Sequence, residues 1–353
     1  MSEQVEGTAE VRDEDSFDLA AVREWLAGLG TELGPDAEVR QFGGGASNLT
    51  YSLRDADHDL VLRRAPSGKK AKGAHDMGRE YRIQDGLADV FPLVAEMVAL
   101  CEDESVIGAN FYVMQRIDGL IPRRNLPEGV TLDEEQARTL CTNALDVLID
   151  LHRVDVSSTP LASLNKGDGY VERQVSGWST RYRNAHTDDA GDYEAVMAWL
   201  AAHQPGDVGH CLIHNDFRFD NIVLSREDPT RPIGVLDWEM ATVGDPLMDL
   251  GGTMAYWVTD DDDEFFRQFR RQPSNLPGMF SREEIVAYYC GRMGFSMTPE
   301  QWRFYEVFGL FRLGVIAQQI YYRYFHGQTS NPAYAIFGEA TTYLERRCRQ
   351  VIG

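Results

Sequence analysis

The segment at residues 214–221 constrains the fold of this chain more than any other part of the sequence. It has the pattern His-x-Asp-x4-Asn, in which Asp216 and Asn221 are the last two fixed positions. Short apolar runs on both sides predict β-strands, and a further run at 233–236 leads directly into Asp237. A loop held between short strands fixes the directions of its side chains. The fold therefore has to present these polar residues at strand ends.

These residue types suit one kind of chemistry. Transfer of a phosphoryl group needs a carboxylate that orients the attacking hydroxyl, and oxygen ligands that hold Mg²⁺ on the phosphates. Asp216 meets the first need, and Asn221 and Asp237 meet the second. His214 is then structural, because a neutral imidazole both donates and accepts hydrogen bonds. The pattern also occurs by chance, so the prediction depends on the flanking strands and on Asp237 too.

The residues before position 120 predict a small unit rich in strands. Short apolar runs, separated by Gly, Asp or Ser, predict an antiparallel meander at 39–42, 49–53 and 60–64. The same half predicts one helix and two further strands, at 74–88, 93–100 and 111–114. From Gly119 onward the pattern changes to long helices, and Thr131 with Glu134 predicts a capping box before the first of them.

A glycine-rich segment at 43–48 lies between two strands of the predicted meander. Glycines there let backbone N–H groups approach phosphate oxygens, and the alternative is a hairpin without a ligand. The candidate phosphate contacts are Gly44, Gly45, Ser47 and Asn48. A strand cation, Arg63, and a helix carboxylate, Glu80, complete the pattern of a kinase-type ATP site. Arg64 points to the opposite face, where we expect solvent.

In this order the motifs resemble the aminoglycoside phosphotransferase and choline kinase superfamily, over nearly the whole chain from Phe17. Residues 112–119 and 244–250 carry the same resemblance. It implies a two-lobed protein-kinase-like fold of the α+β class, with a small antiparallel-sheet N-lobe and a mainly helical C-lobe. It also implies ATP and Mg²⁺ as cofactors, and backbone contacts from Gln115 and Ile117 to adenine.

The predicted boundaries follow from composition and from this resemblance. Residues 1–16 are acidic and offer little apolar surface, so we expect a disordered tail. Residues 17–117 form the predicted nucleotide-binding lobe. Residues 118–353 form the helical lobe with the catalytic loop and the acceptor pocket. Within it, we expect Asp249 to cap or brace the helix that begins after Pro246.

Some residues depart from the pattern of protein kinases. Arg63 stands where most kinases carry lysine, and Asn215 stands where many protein kinases carry arginine. After Asp237, the residues up to Asp245 leave no room for a substrate platform. We therefore expect phosphorylation of a hydroxyl group on a small molecule rather than on a protein. The alternative, which Arg63 keeps open, is a nucleotide-binding pseudokinase with a regulatory or partner-binding role.

The acceptor stays open at the level of sequence. The acidic run at 260–264 suggests a cradle for a polycationic aminoglycoside, but we favour its interpretation as a solvated helix N-terminus. Arg312 and Arg323 lie in the aromatic-rich segment 302–325 and suit an anionic acceptor better. The segment 61–81 resembles the kinase-like domains found alone or fused to acyl-CoA dehydrogenases, which implies a hydroxyacyl-CoA acceptor.

Composition excludes several other classes. Lys and Arg number 34 against 56 Asp and Glu, so the net charge of −22 disfavours binding to nucleic acid or to anionic membranes. The 5 cysteines have no zinc-type spacing and indicate reduced thiols. Residues 1–15 lack the apolar run of a secretory signal, and no segment is long and apolar enough to span a membrane. We expect a cytoplasmic protein, of an oligomeric state that the sequence leaves open.

Overall fold

The computed structural model describes residues 5–43, 48–66, 76–329 and 331–353. The chain divides into two compact units. The first contains Met1–Gly119 and Ile233–Glu239, and the second contains Leu120–Pro232 and Met240–Gly353. The segment Ile233–Glu239 was predicted in the helical lobe, but it belongs to the first unit, where Val235 donates its backbone N–H to Leu93 O at 2.7 Å.

The first unit is built on a six-stranded antiparallel sheet in the order β1-β2-β3-β4-β6-β5. Its strands are β1 (Thr8–Ala9), β2 (Glu38–Phe42), β3 (Leu49–Arg54), β4 (Asp59–Arg64), β5 (Met97–Cys101) and β6 (Phe111–Gln115). Its helices are α1 (Leu19–Ala27) and α2 (Met77–Leu87). The predicted meander is β2-β3-β4, with the strands where the sequence pattern placed them.

Alternation along β4 decides which side chains face which helix. Leu60 and Leu62 pack on one side of the sheet in a core that includes Leu26 of α1. Val61 packs on the other side with Met77 of α2. Because successive strand residues point to opposite faces, Arg63 lies on the same face as Val61 and α2.

The acidic N-terminus contradicts the prediction of a disordered tail, as far as residues 5–16 are concerned; residues 1–4 lie outside the described residues. Strand β1 pairs with β2, and the backbone carbonyl of Asp15 accepts hydrogen bonds from Tyr51 and from Arg64, each at 2.7 Å. Arg64 is only 3% exposed, so its predicted solvent position is wrong as well. The tail covers this face of β4 and supplies the acceptors that its guanidinium needs.

The second unit is mainly helical. It contains α3 (Glu134–His152), α4 (Tyr170–Ala185), α5 (Glu194–His203), α6 (Pro246–Met254), α7 (Glu264–Gln268), α8 (Arg282–Met293), α9 (Pro299–Phe325) and α10 (Ile336–Ile352). Its short strands are β7 (Cys211–Ile213), β8 (Ile222–Leu224) and β10 (Thr242–Gly244), while β9 (Pro232–Val235) begins at the unit boundary. The capping box of α3 is Asp133 with Gln136, and not the predicted Thr131 with Glu134.

Two features of the second unit position the motif loop. Strands β7 and β10 pair antiparallel. This pairing fixes the strand from which the motif loop begins. Helix α6 follows β10 directly and packs against α9 so closely that a Cβ on Gly309 would lie 2.1 Å from the carbonyl oxygen of Gly251. Only glycine permits that approach, so the position of α6 relative to α9 is fixed by backbone contact.

No helix in the described part of the chain is long and apolar enough to cross a membrane.

The turn between β3 and β4 yields a first testable prediction. The carboxylate of Asp55 accepts backbone hydrogen bonds from Gly34 and His58, each at 2.6 Å, and from Asp57 at 2.8 Å. Burial opposes ionisation of Asp55, but these donors outweigh it and lower its pKa to about 2. Asp55→Ala should therefore reduce the free energy of unfolding at pH 7 by about 1–3 kcal/mol.

The effect of this substitution should depend on pH in one direction. A carboxyl group with a depressed native pKa stabilises the fold above its unfolded pKa and loses that contribution as pH falls through the native value. Urea unfolding at pH 7 and at pH 3 should show a smaller difference between wild type and Asp55→Ala at pH 3. The exposed Asp57→Ala is the control, and an equal difference at both pH values would contradict the assignment.

Candidate active site

The loop after β7 contains the motif at residues 214–221. Its first two backbone N–H groups, from His214 and Asn215, donate to the two carboxylate oxygens of Asp249, each at 2.8 Å. Asn215 lies in the left-handed region with φ of 65°, a conformation that asparagine tolerates better than most residues. The backbone therefore turns sharply just before Asp216.

Asp249 is buried in the first turn of α6. The Nε2 atom of His152, at the end of α3, lies 3.1 Å from the same carboxylate, and Nδ1 of His152 contacts the hydroxyl of Tyr289. Burial favours the neutral form of Asp249, but the contacts with His152 and His214 outweigh it and lower its pKa. The loop is therefore anchored on a buried carboxylate.

The predicted role of Asp249 needs a correction. The N-cap of α6 is Asp245, whose carboxylate accepts the backbone N–H groups of Leu247 and Met248 at 2.9 and 3.0 Å. Asp249 lies one turn later and serves the loop instead. Asp245 thus caps the helix and Asp249 holds the loop. The spacing of the two residues in the sequence did not show which of them has which role.

Asp216 and Asn221 meet within this loop. The side-chain amide of Asn221 donates to the backbone carbonyl of Asp216 at 2.9 Å and to its carboxylate at 3.1 Å. The backbone N–H of Asp216 donates to Nδ1 of His214 at 3.2 Å, which agrees with a structural role for that ring. Because Asn221 uses its N–H groups on Asp216, its amide oxygen faces away from that contact and is a suitable metal ligand.

Arg218 is a member of the site that the sequence analysis missed. Its guanidinium lies 3.1 Å from the carboxylate of Asp216 and 3.3 Å from that of Asp220. It also lies over the ring of Tyr256, 4.6 Å from the ring centre. Burial raises the pKa of Asp220, and Arg218 opposes this shift. The positive charge of Arg218 therefore stabilises the two neighbouring carboxylates, Asp216 and Asp220. The only signal in the sequence was an arginine inside the motif.

Arg312 also contacts the loop. It is 6% exposed and donates to the backbone carbonyl of Asn215 at 2.6 Å. Its guanidinium lies 5.3 Å from the ring centre of Trp178, and that of Arg181 lies 4.5 Å from the same ring. Arg312 therefore holds the backbone of the loop at Asn215, and it also places a positive charge beside the loop. Arg323, the other arginine predicted near the acceptor, is exposed near the end of α9.

In the first unit, Arg63 lies between two carboxylates. Its guanidinium is 3.1 Å from Glu80 on α2 and 3.1 Å from Asp237, which follows β9. The hydroxyl of Tyr112 donates to Glu80 at 2.9 Å. These contacts bring together three residues that the sequence predicted for one site. Nε of Arg63 is buried and has no hydrogen-bond partner among the described residues.

The charges of this cluster depend on one another. Burial raises the pKa of Glu80, Arg63 opposes this effect, and Asp237 adds to it. For Arg63, burial favours loss of the proton, but Tyr112 and the two carboxylates outweigh it and raise the pKa. Arg63 is therefore a permanent cation between two carboxyl groups.

Asp237 has the features of a metal ligand. Its side chain is 34% exposed, and its backbone has φ of 66°, which is rare outside glycine. A carboxylate at Asp237 and an amide oxygen at Asn221 are hard donors of the kind that Mg²⁺ prefers.

The remaining predicted contacts are distributed in the first unit. Asn48 donates to Glu239 at 3.2 Å and to Glu80 at 3.4 Å. Gln115, at the end of β6, donates its backbone N–H to Glu96 at 2.8 Å. Ile117 makes no backbone hydrogen bond within the described residues, so both of its backbone groups can contact a base. Gly44, Gly45 and Ser47 lie outside the described residues.

The sequence is similar to a known family and to named proteins. The model of the phosphotransferase enzyme family matches residues 38–285. Acyl-CoA dehydrogenase family member 10 of Mus musculus is 35% identical over 338 residues, which cover 96% of this chain and 31% of that protein. Member 11 of Mus musculus is 33% identical over 329 residues, which cover 92% and 42%. The chain thus spans about a third to two fifths of the length of these relatives.

Solved structures show the same fold. A Ralstonia eutropha protein, named as a proposed aminoglycoside phosphotransferase, has a TM-score of 0.80 and 28% identity over 95% of this chain and 98% of that chain. A choline kinase from Cryptosporidium parvum has a TM-score of 0.58 at 11% identity, covering 93% and 95%. An aminoglycoside phosphotransferase bound to AMP-PNP and hygromycin B has 0.56 at 16%, covering 94% and 97%. The predicted α+β, protein-kinase-like fold is confirmed.

The anchoring of the loop yields a second prediction. Asp249→Asn keeps the size of the side chain but places an N–H group where two loop N–H groups need an acceptor. The free energy of unfolding should fall by about 2–4 kcal/mol, because a buried donor is left without a partner. Urea denaturation measures this change, with the exposed Asp150→Asn on α3 as the control. Equal stability of the two variants would contradict the proposed anchor.

Proposed function

Because the chain belongs to the phosphotransferase enzyme family, we propose that it is a small-molecule kinase that transfers the γ-phosphoryl group of ATP to a hydroxyl group in the presence of Mg²⁺. The observation that carries this proposal is the arrangement of Asp216. Its carboxylate is held by Asn221 and Arg218 in a loop anchored on buried Asp249. A carboxylate held in this way can orient an acceptor hydroxyl and accept its proton.

Residues of the first unit bind the nucleotide in this proposal. Arg63 contacts the phosphates, and Glu80 positions Arg63. Arginine binds phosphate well through its forked N–H groups, and its charge is retained at any physiological pH. Asn48 together with Gly44, Gly45 and Ser47 covers the phosphates, and the backbone groups of Gln115 and Ile117 contact adenine.

Two oxygen donors are the proposed ligands of the metal ion. Asn221 and Asp237 hold Mg²⁺ through an amide oxygen and a carboxylate oxygen. When it is bound, Mg²⁺ neutralises charge on the phosphates. Asp237 also contacts Arg63, so the same carboxylate links the phosphate-binding cation to the metal-binding position.

The acceptor in this proposal is anionic. Within the described residues, Arg181 and Arg271 form no hydrogen bond or ion pair with another residue. Arg271 nevertheless lies close enough to act electrostatically on Asp220 and Tyr256. In a protein of net charge −22, unpaired arginines beside the loop favour an acceptor with phosphate or carboxylate groups.

The central residue of the acidic run at 260–264 is not available to a polycation. Asp262 is 8% exposed and is paired with Arg282 and Arg347. Asp263 caps α7 and accepts a hydrogen bond from Tyr343 at 2.6 Å. The expectation of a solvated helix N-terminus is therefore wrong for Asp262, but it is confirmed for the exposed Asp263 and Glu264 at the start of α7. The aminoglycoside alternative loses one carboxylate of its cradle.

A hydroxyacyl-CoA is the anionic acceptor that we propose. It carries phosphate groups together with a hydroxyl group, as the arginines and Asp216 require. The relatives named as acyl-CoA dehydrogenase family members 10 and 11 support this choice. Domains that occur in one chain commonly act on the same class of compound. The family resemblance in the first lobe points in the same direction.

The role of Asp216 is tested by substitution. Asp216→Ala should lower kcat for phosphorylation by about 100- to 10,000-fold and leave the Kd for ATP within about twofold, because the nucleotide contacts are in the other unit. The value of kcat is measured by a coupled assay of ATP consumption with a panel of hydroxyacyl-CoA esters, aminoglycosides and choline-like amines. Calorimetry measures the Kd for ATP. The exposed Asp188→Ala is the control.

The outcomes separate the two hypotheses. Turnover that Asp216→Ala abolishes supports the kinase. Binding of ATP with Mg²⁺ but without turnover on any acceptor would favour the pseudokinase. If Asp216→Ala keeps the wild-type rate, Asp216 is not the catalytic base.

The class of acceptor has its own prediction. Arg271→Gln and Arg181→Gln each remove an unpaired cation and should raise KM for a hydroxyacyl-CoA by about tenfold, which corresponds to the loss of one charge-assisted hydrogen bond. The KM for ATP should stay the same. Arg323→Gln, on the exposed end of α9, is the matched control. Equal effects of all three substitutions would argue against local recognition of the acceptor.

A further inference from the structure

A cavity of about 290 Å³ lies in the helical unit among α6, α8, α9 and α10. Its wall is mostly apolar, with side chains such as Met254, Val286 and Leu310. None of the residues assigned to phosphoryl transfer lines it. A cavity of about 150 Å³ can hold a benzene molecule, so this one has room for an aromatic ring with a short chain.

One carboxylate in the wall accepts no hydrogen bond from the described residues. Glu306 on α9 is partly buried, and among the described residues it forms no hydrogen bond or ion pair through its side chain. Burial raises its pKa, although Arg282 and Arg347 oppose the shift. Its oxygens are therefore available to a ligand that donates a hydrogen bond.

The neighbouring arginines are already occupied. Arg282 and Arg347 also line the cavity, and both contact the carboxylate of Asp262. Arg282 donates in addition to the backbone carbonyl of Trp257. Arg347 donates to the hydroxyl of Tyr343 at 3.1 Å. These contacts reduce the affinity of the cavity for an anion.

The other polar features of the wall suit a cation. Trp302 lies one turn before Glu306 on α9 and lines the same cavity, so the two side chains share a helix face. The face of an indole ring attracts an ammonium group. Glu283 on α8 adds a second carboxylate to the lining. An aromatic ring beside a free carboxylate is the arrangement that recognises a protonated amine.

We propose that this cavity is a second binding site, which takes a small primary amine with an apolar body of about the size of a phenylalkyl group. The ammonium group binds Glu306 and faces Trp302. The apolar body fills the space between Met254, Val286 and Leu310. The site is independent of ATP and of the proposed acceptor, so its test does not depend on kinase activity.

The test uses three probes that differ in one functional group. Calorimetry on the full chain measures binding of 2-phenylethylamine, of the neutral 2-phenylethanol and of the anion 3-phenylpropionate. The amine should bind at least tenfold more tightly than the alcohol or the anion. Glu306→Gln should remove this preference, and Glu300→Gln, on the exposed start of α9, should keep it.

A second variant locates the site independently of charge. Ala287→Trp, on the lining face of α8, fills the cavity and should abolish binding of all three probes. Circular dichroism confirms that each variant is folded. The proposal is overturned if the amine binds no more tightly than the alcohol, if the preference persists in Glu306→Gln, or if the anion binds best.

Discussion

The buried carboxylate of Asp249 is the contact on which the candidate catalytic loop depends. It accepts the backbone N–H groups of His214 and Asn215 and contacts His152 from another helix. A single anion thus ties the end of β7, the start of α6 and the end of α3 together. Because the first two N–H groups of the loop bind this carboxylate, the backbone is held just before Asp216. The side chain of Asn221 then donates to the backbone carbonyl of Asp216.

In the first unit, a cation has the equivalent organising role. Arg63 is directed toward α2 by the alternation of β4, and it meets Glu80 and Asp237 there. Each unit therefore contains a charged centre whose partners come from distant parts of the chain. Such centres are stable only when every partner is in place, because an unpaired buried charge is costly. This requirement makes the site and the fold interdependent.

Much of this architecture was predictable from local patterns. The meander, the strands beside the motif, and the grouping of Arg63 with Glu80 and Asp237 follow from periodicity and from the order of the motifs. The wrong predictions concern side chains whose burial depends on residues distant in the sequence. Arg64 was expected in solvent, but the carbonyl of Asp15 gives its guanidinium a buried acceptor. Asp262 was expected at a solvated helix end, but Arg282 and Arg347 enclose it.

The sequence by itself determined the family to which the chain belongs and which residue types, such as Asp216, Asn221 and Asp237, stand at fixed spacing as candidates for its chemistry. Only the tertiary structure decided which charges are satisfied. It assigned Asp249 to the loop rather than to its own helix, added Arg218 to Asp216, and left the carboxylate of Glu306 without a hydrogen bond in the wall of a cavity. The physical reason is that periodicity depends on near neighbours in the chain. The pairing of a buried charge depends on groups that only folding brings within hydrogen-bond distance.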